Sequence, residues 1–167
     1  MRKPIKIILI TITSLILLLA ICAGGYVAYM QAKYYRIEDN LSLETTNNQN
    51  SILKTNTDYS ALTYNIGFGA YDQDYSFFMD TGTMKDGTPV TGKSSRGNSK
   101  ESVLKNTNGS TNLIKELSPD FALLQEVDVK ATRSYGINQK ENIENALENY
   151  GSVFALNFHA PYMLYPF

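Results

Sequence analysis

The chain has 167 residues, 15 Lys+Arg against 16 Asp+Glu, a formal net charge of -1 and 43% hydrophobic residues. That suits one packed domain rather than two, and the near balance of charge excludes a basic nucleic-acid arm, which needs a large cationic excess. A single Cys, Cys22, excludes an intramolecular disulfide framework, and beside a single His it excludes the usual Cys/His zinc sites.

No charged residue occurs from Ile7 through Ala32. As a helix rising about 1.5 Å per residue, this stretch would cover roughly 39 Å, more than the ~30 Å hydrocarbon layer requires. Its 12 Ile, Leu and Val residues favour insertion by roughly 6 kcal/mol at about -0.5 kcal/mol each. Residues 7–32 are therefore expected to form a single-pass transmembrane anchor, with Tyr26, Tyr29, Tyr34 and Tyr35 at the far interface. Arg2, Lys3 and Lys6 precede it, so the positive-inside bias puts residues 1–6 in the cytoplasm and the remainder on the extracytoplasmic side. A cleaved signal peptide is the rival reading, since Ala20, Cys22, Ala23 and Gly24 are small enough for a cleavage site. Ile21 before Cys22 argues against a lipoprotein signal.

Beyond residue 32 the chain carries 12 Lys+Arg against 16 Asp+Glu, a mildly acidic remainder that would not attract a long polyanion. Residues 33–58, and above all Ile37 to Asp58, are rich in Asn, Thr and Ser and read as a flexible polar linker. Residues 59–167 then alternate strand and helix. Ala61 to Ile66 is β-prone and leaves sharply at Gly67-Phe68-Gly69. Residues 70–97, with the aromatic island Tyr75 to Met79, predict a long ordered loop or a short hairpin. Asn98 and Glu101 form a capping-box pattern. Val103, Thr107, Ser110, Ile114 and Leu117 follow at helical spacing up to Ser118-Pro119, with Gly109 weakening the helix. Phe121 to Leu124 is a short apolar run expected to form a strand buried on both faces. Asn138 with Glu141 starts a second helix whose apolar face is Ile143, Ala146, Leu147 and Tyr150, with Gly151 as its stop. Val153 to Phe158 predicts a third strand. The order β-α-β-α-β makes this an α/β layered domain, in which polar groups at strand C-termini converge on the site.

Gly87-Thr88-Pro89-Val90-Thr91-Gly92-Lys93-Ser94 matches a phosphate-cradling P-loop in letters only, because no buried strand feeds it and Gly97 interrupts any helix after it. His159 reads as a structural or partly exposed histidine. Asn40-Leu41-Ser42 and Asn108-Gly109-Ser110 match the glycosylation pattern, which recurs by chance in an Asn-rich chain. A quieter pair carries more chemistry. Asn65 and Glu126 each close a strand at its C-terminal end, and an amide and a carboxylate on adjacent strands suit a hard cation such as Mg²⁺ (or Mn²⁺).

Leu62-Thr63-Tyr64-Asn65-Ile66 with Gly67-Phe68-Gly69, Pro119-Asp120-Phe121-Ala122-Leu123-Leu124-Gln125-Glu126-Val127-Asp128, and Arg133-Ser134 resemble the endonuclease/exonuclease/phosphatase superfamily. This is the DNase I-like fold of nucleases, sphingomyelinases and inositol polyphosphate phosphatases. The resemblance runs from about Tyr59 to Phe167 and implies the N-terminal part of a DNase I-like α/β sandwich, incomplete here. It implies hydrolysis of a phosphate ester by an in-line water, with Glu126 as the principal metal ligand and Asn65 orienting metal or phosphate. Arg133 would offer its fork to a phosphate or form a surface salt bridge. The substrate would be nucleic acid first, a lipid headgroup second.

Family members also carry a Gly-Asp-x-Asn segment and a closing Ser-Asp-His whose His is the general base. Neither segment occurs in the 167 residues, and Tyr165-Pro166-Phe167 falls about where the family continues into its second half. Catalysis by this chain is therefore expected to be weak or absent, since base catalysis alone contributes about 10² to 10⁴-fold. Exposed sheet edges and apolar faces are expected too. The alternative is a non-enzymatic, surface-exposed interaction module in which the loop from Tyr71 to Met79 meets a partner.

Overall fold

A computed structural model describes residues 3–48 and 52–161. The expectations placed on Arg2 and on Tyr165-Pro166-Phe167 lie outside them. The chain mixes helix and strand, and its described residues divide into two compact units, one of residues 3–41 with 156–161 and one of 42–48 with 52–155.

In the first unit, α1 runs over Lys3–Ala32, four residues further toward the N-terminus than the uncharged stretch. The added turn contains Lys3 and Lys6, and nothing there breaks a helix except Pro4, which is tolerated in a first turn. It buries no residue against the protein and is long and apolar enough to cross a membrane, a test that a signal sequence also passes. Tyr26 and Tyr29, three residues apart on one face, stack at 6.3 Å. The His159 ring meets Tyr35 edge-on at 5.1 Å.

The second unit begins within the span read as a linker. Thr45–Thr46 forms β1, and it pairs antiparallel with a strand from the far end of the unit. Next comes β2, Ala61–Asn65, and a single 3-10 turn over Gly67–Gly69. The loop expected over 70–97 contains a hairpin of β3, Thr81–Thr83, and β4, Pro89–Thr91. Its turn follows from Asp86-Gly87: Gly87 takes φ +86 and the Asp86 carboxylate accepts from the Thr88 N–H. The letters of the P-loop thus lie along a hairpin strand, and the backbone N–H groups of Lys93 and Ser94 donate to the Ser76 carbonyl.

The main helix, α2, spans Lys100–Leu117. Its N-cap is Ser99, whose hydroxyl accepts from the Ser102 N–H, while Asn98, the expected cap, donates to Asp74 instead. Ser118 closes it in left-handed backbone. β5 follows at Phe121–Gln125, then α3 at Gln139–Ala146. Asn138 caps α3 and forms the expected reciprocal bond with Glu141. The helix stops at Leu147 rather than Tyr150, yet both Leu147 and Tyr150 still reach the core. β6 covers only Ser152–Val153, so the third strand expected over 153–158 is a two-residue strand. Its partner β1 is itself two residues long, which limits the ladder.

β2 and β5 run parallel in register, Ala61 beside Phe121 through Asn65 beside Gln125. At the start of the pair, the Asp120 carboxylate accepts from the backbone N–H and hydroxyl of Ser60. These bonds hold that carboxyl below its ordinary range and fix the register. Leu62, Tyr64, Ala122 and Leu124 face a core of Ile66, Ile114, Ile143 and Leu147. The opposite face is open: Phe121 is 42% and Leu123 56% exposed. The apolar run at 121–124 is therefore buried on one face among the described residues, not on both. Helices cover only the face of its inward-pointing members, and a parallel sheet normally has both covered.

Candidate active site

Two tight turns bring the strand ends together. Asn65 closes β2, and its side-chain oxygen accepts from the Gly67 N–H at 2.8 Å, which starts the turn into Gly67-Phe68-Gly69. Beyond β5, Glu126 takes left-handed backbone at φ +54, and Phe68 does the same at φ +43. The Phe68 N–H donates to the Glu126 carbonyl at 3.0 Å, and the Ile66 N–H to the Gln125 carbonyl. Left-handed backbone in a non-glycine residue costs about 1–2 kcal/mol, so both turns are held by these mutual bonds and by the burial of Phe68, 1% exposed.

The outcome is direct contact between the expected residues. The Asn65 amide donates to one oxygen of Glu126 at 2.9 Å, and the Arg133 guanidinium reaches the other at 3.3 Å. Arg133 also grips Asp128 by its Nε and Nη2, at 3.0 and 2.9 Å, and lies 4.1 Å over the Phe68 ring. Asp128 is thus the principal partner of Arg133 and orients it. Only its place two residues after Glu126 and five before Arg133 could have signalled that.

Behind this cluster sits a buried amide that sequence reading missed. Gln139 Oε1 accepts from the Asp128 N–H, Nε2 donates to Thr107 Oγ1, and the Gln139 N–H donates to the Asp128 carbonyl. It locks the β5 exit to α2. A Gln in the first turn of an exposed-looking helix gives no sign of this in the sequence.

Asn65 and Glu126 line a cavity of about 710 Å³ together with Tyr71 and with Lys105, Gly109 and Ser110 of α2. Burial pushes the Tyr71 hydroxyl pKa up, helped by the charges of Asp80 and Glu126 and opposed by Arg133. Burial chiefly, with Tyr71 beside it, pushes Tyr75 up to about 12. Both phenols stay protonated near neutral pH and act as donors, not nucleophiles.

For a metal, the cavity offers one carboxylate, Glu126, and the Asn65 oxygen, already accepting from Gly67. Among the described residues no group of three or more His, Cys, Asp or Glu could hold an ion. This donor set is not a closed protein cage; it could lend at most one carboxylate, already bonded to Asn65 and Arg133, to an ion such as Mg²⁺ that keeps most of its waters.

The loop from Tyr71 to Met79 turns much of its aromatic surface inward. Tyr75 is buried and packs with Phe77 against Phe68, leaving Tyr71 and Met79 exposed. The glycosylation match at Asn108-Gly109-Ser110 lies inside α2 with Ser110 buried. Compared with known proteins, the chain matches no family model, no curated protein and no solved structure.

Proposed function

We propose that the unit containing Asn65 and Glu126 is a phosphate-ester site of the phosphodiesterase kind, tethered to a membrane through α1 and facing the extracytoplasmic side. One observation carries it. The carboxylate and the amide end adjacent parallel strands, 2.9 Å apart, and both line one cavity. Crevices at the carboxyl ends of parallel strands are where such layered folds bind ligands, and the motif resemblance assigns both residues the same role. Mg²⁺, when bound at Glu126, would neutralise phosphate charge. Asn65 fixes the carboxylate's orientation, and Arg133, anchored by Asp128, keeps guanidinium donors beside it.

The cavity wall includes no histidine, and Glu126 is its one carboxylate. A water would lack a separate general base there, so binding is expected to exceed turnover. Titrating Mg²⁺ into the full chain in detergent, with and without inorganic phosphate, tests the reading. Mg²⁺ and phosphate together should raise the melting temperature in the native chain and not in Glu126→Ala. Equal responses in the two would remove the site.

A further inference from the structure

Helix α2 carries a glycine that its packing does not explain. Gly109 lies mid-helix, where glycine is about 1 kcal/mol worse than alanine. A Cβ built there meets no heavy atom within 4 Å, so no neighbour demands its absence. The residue lines the same cavity as Glu126. Tyr71 flanks the same space, and its ring is fixed. It lies over Gly67, where an added Cβ would come within 2.5 Å of the ring, and it meets the Tyr75 ring edge-on at 5.0 Å. Asn106 ties the segment to α2 on both sides of Tyr71 by donating to the Gly69 carbonyl at 3.0 Å and to Asp72 at 3.1 Å. Ser102 also donates to Asp72. Yet Tyr71 is 54% exposed. A held aromatic face, a bare patch of helix and Lys105 therefore line one cavity, a preorganised arrangement.

We infer that Tyr71, Gly109 and Lys105 form a subsite for the alcohol portion of a small phosphate ester bearing a ring, with Tyr71 as the face that packs on it and Gly109 leaving it room. Lys105, four residues before Gly109 on the same helix, adds positive charge to the cavity lining. Aromatic faces grip bases and sugars by stacking and apolar contact. This rests on the phosphate-ester reading of the site.

The test is calorimetric titration of the full chain in detergent with Mg²⁺, using adenosine 5′-monophosphate, ribose 5-phosphate and glycerol 3-phosphate. At least one ring-bearing ester should bind about tenfold more tightly than glycerol 3-phosphate, and comparing the two identifies base or sugar as the gripped ring. Tyr71→Leu should erase that advantage while Tyr71→Phe keeps it. Gly109→Leu should raise the melting temperature, as a better helix former, and abolish binding of the ring esters. Equal affinities for all three esters, with binding still lost in Glu126→Ala, would overturn the subsite and leave the phosphate site standing. Binding of none would overturn both. A Gly109→Leu chain that is stabilised and binds unchanged would also overturn the subsite.

Discussion

Asn65 and Glu126 lie 61 residues apart in sequence and 2.9 Å apart in space, amide nitrogen to carboxylate oxygen. The contact depends on which side chain donates. Asn65 gives its N–H₂ to Glu126 and its oxygen to the Gly67 N–H, so both ends of the amide are committed.

Replacing Asn65 with Asp keeps an acceptor for Gly67 but sets two carboxylates against each other. Like-charge repulsion raises their folded-state pKa values above those of the unfolded chain. The variant should therefore match the native chain most closely at low pH and lose stability as pH rises through the raised pKa. Chemical denaturation at pH 4 and pH 7 measures this. Added Mg²⁺ should recover part of the loss at pH 7, since a paired carboxylate site is a better cation site.

Glu126 holds left-handed backbone, so side-chain loss and backbone strain separate cleanly. Glu126→Gly should be more stable than Glu126→Ala by about 1 kcal/mol, because glycine adopts φ > 0 without the Cβ penalty. Urea titration of the two variants decides it. Alanine equal to glycine would mean that the turn relaxes on losing the carboxylate.

Gln139→Leu is of similar size but leaves the Asp128 N–H without its acceptor in a buried setting. The cost should be about 1–3 kcal/mol, with a further effect on the site, since the Asp128 that anchors Arg133 loses its support. Glu126-dependent Mg²⁺ stabilisation should weaken in the same variant.

Burial works against the Glu144 carboxylate, but Lys140, Ser152 and Thr46 outweigh it and hold its pKa below the ordinary Glu value. A lowered carboxylate pKa contributes stability above its unfolded value and loses it as pH falls through the folded one. Below about pH 4 the β1–β6 pair should loosen first, because Thr46 and Ser152 both bond to Glu144. Amide protection factors of Thr46 and Ser152, compared with those of β2 and β5 at pH 6 and pH 3, would show it.

The elements at the centre of the unit were legible because each pairs a pattern with a boundary. Ala61 to Ile66 ends at Gly67, the α2 repeat ends at Ser118-Pro119, and Asn138 with Glu141 states where α3 begins. The misjudged parts depend on partners distant in sequence. Val153 to Phe158 is apolar enough for a strand, yet pairing stops where Thr45–Thr46 stops. Asn98 and Ser99 are equally good caps in isolation, and Asp74 draws Asn98 away. Asn65 and Glu126 were readable as strand ends. The grip of Asp128 on Arg133 and the buried Gln139 were not, because a turn brings them together and no spacing rule encodes it.

The parallel pairing of β2 with β5 fixes an order of events during synthesis. Ala61 must wait for Phe121, its partner 60 residues downstream, which takes roughly 3–12 s at about 5–20 residues per second. Until then β2 has no neighbour, and α2 can form only as a local helix without its sheet. The contact between Asn65 and Glu126 is therefore assembled late, when Glu126 arrives and closes on Asn65. A ribosome paused anywhere in that interval holds an open strand edge, and chaperone contact with the nascent chain should be greatest there.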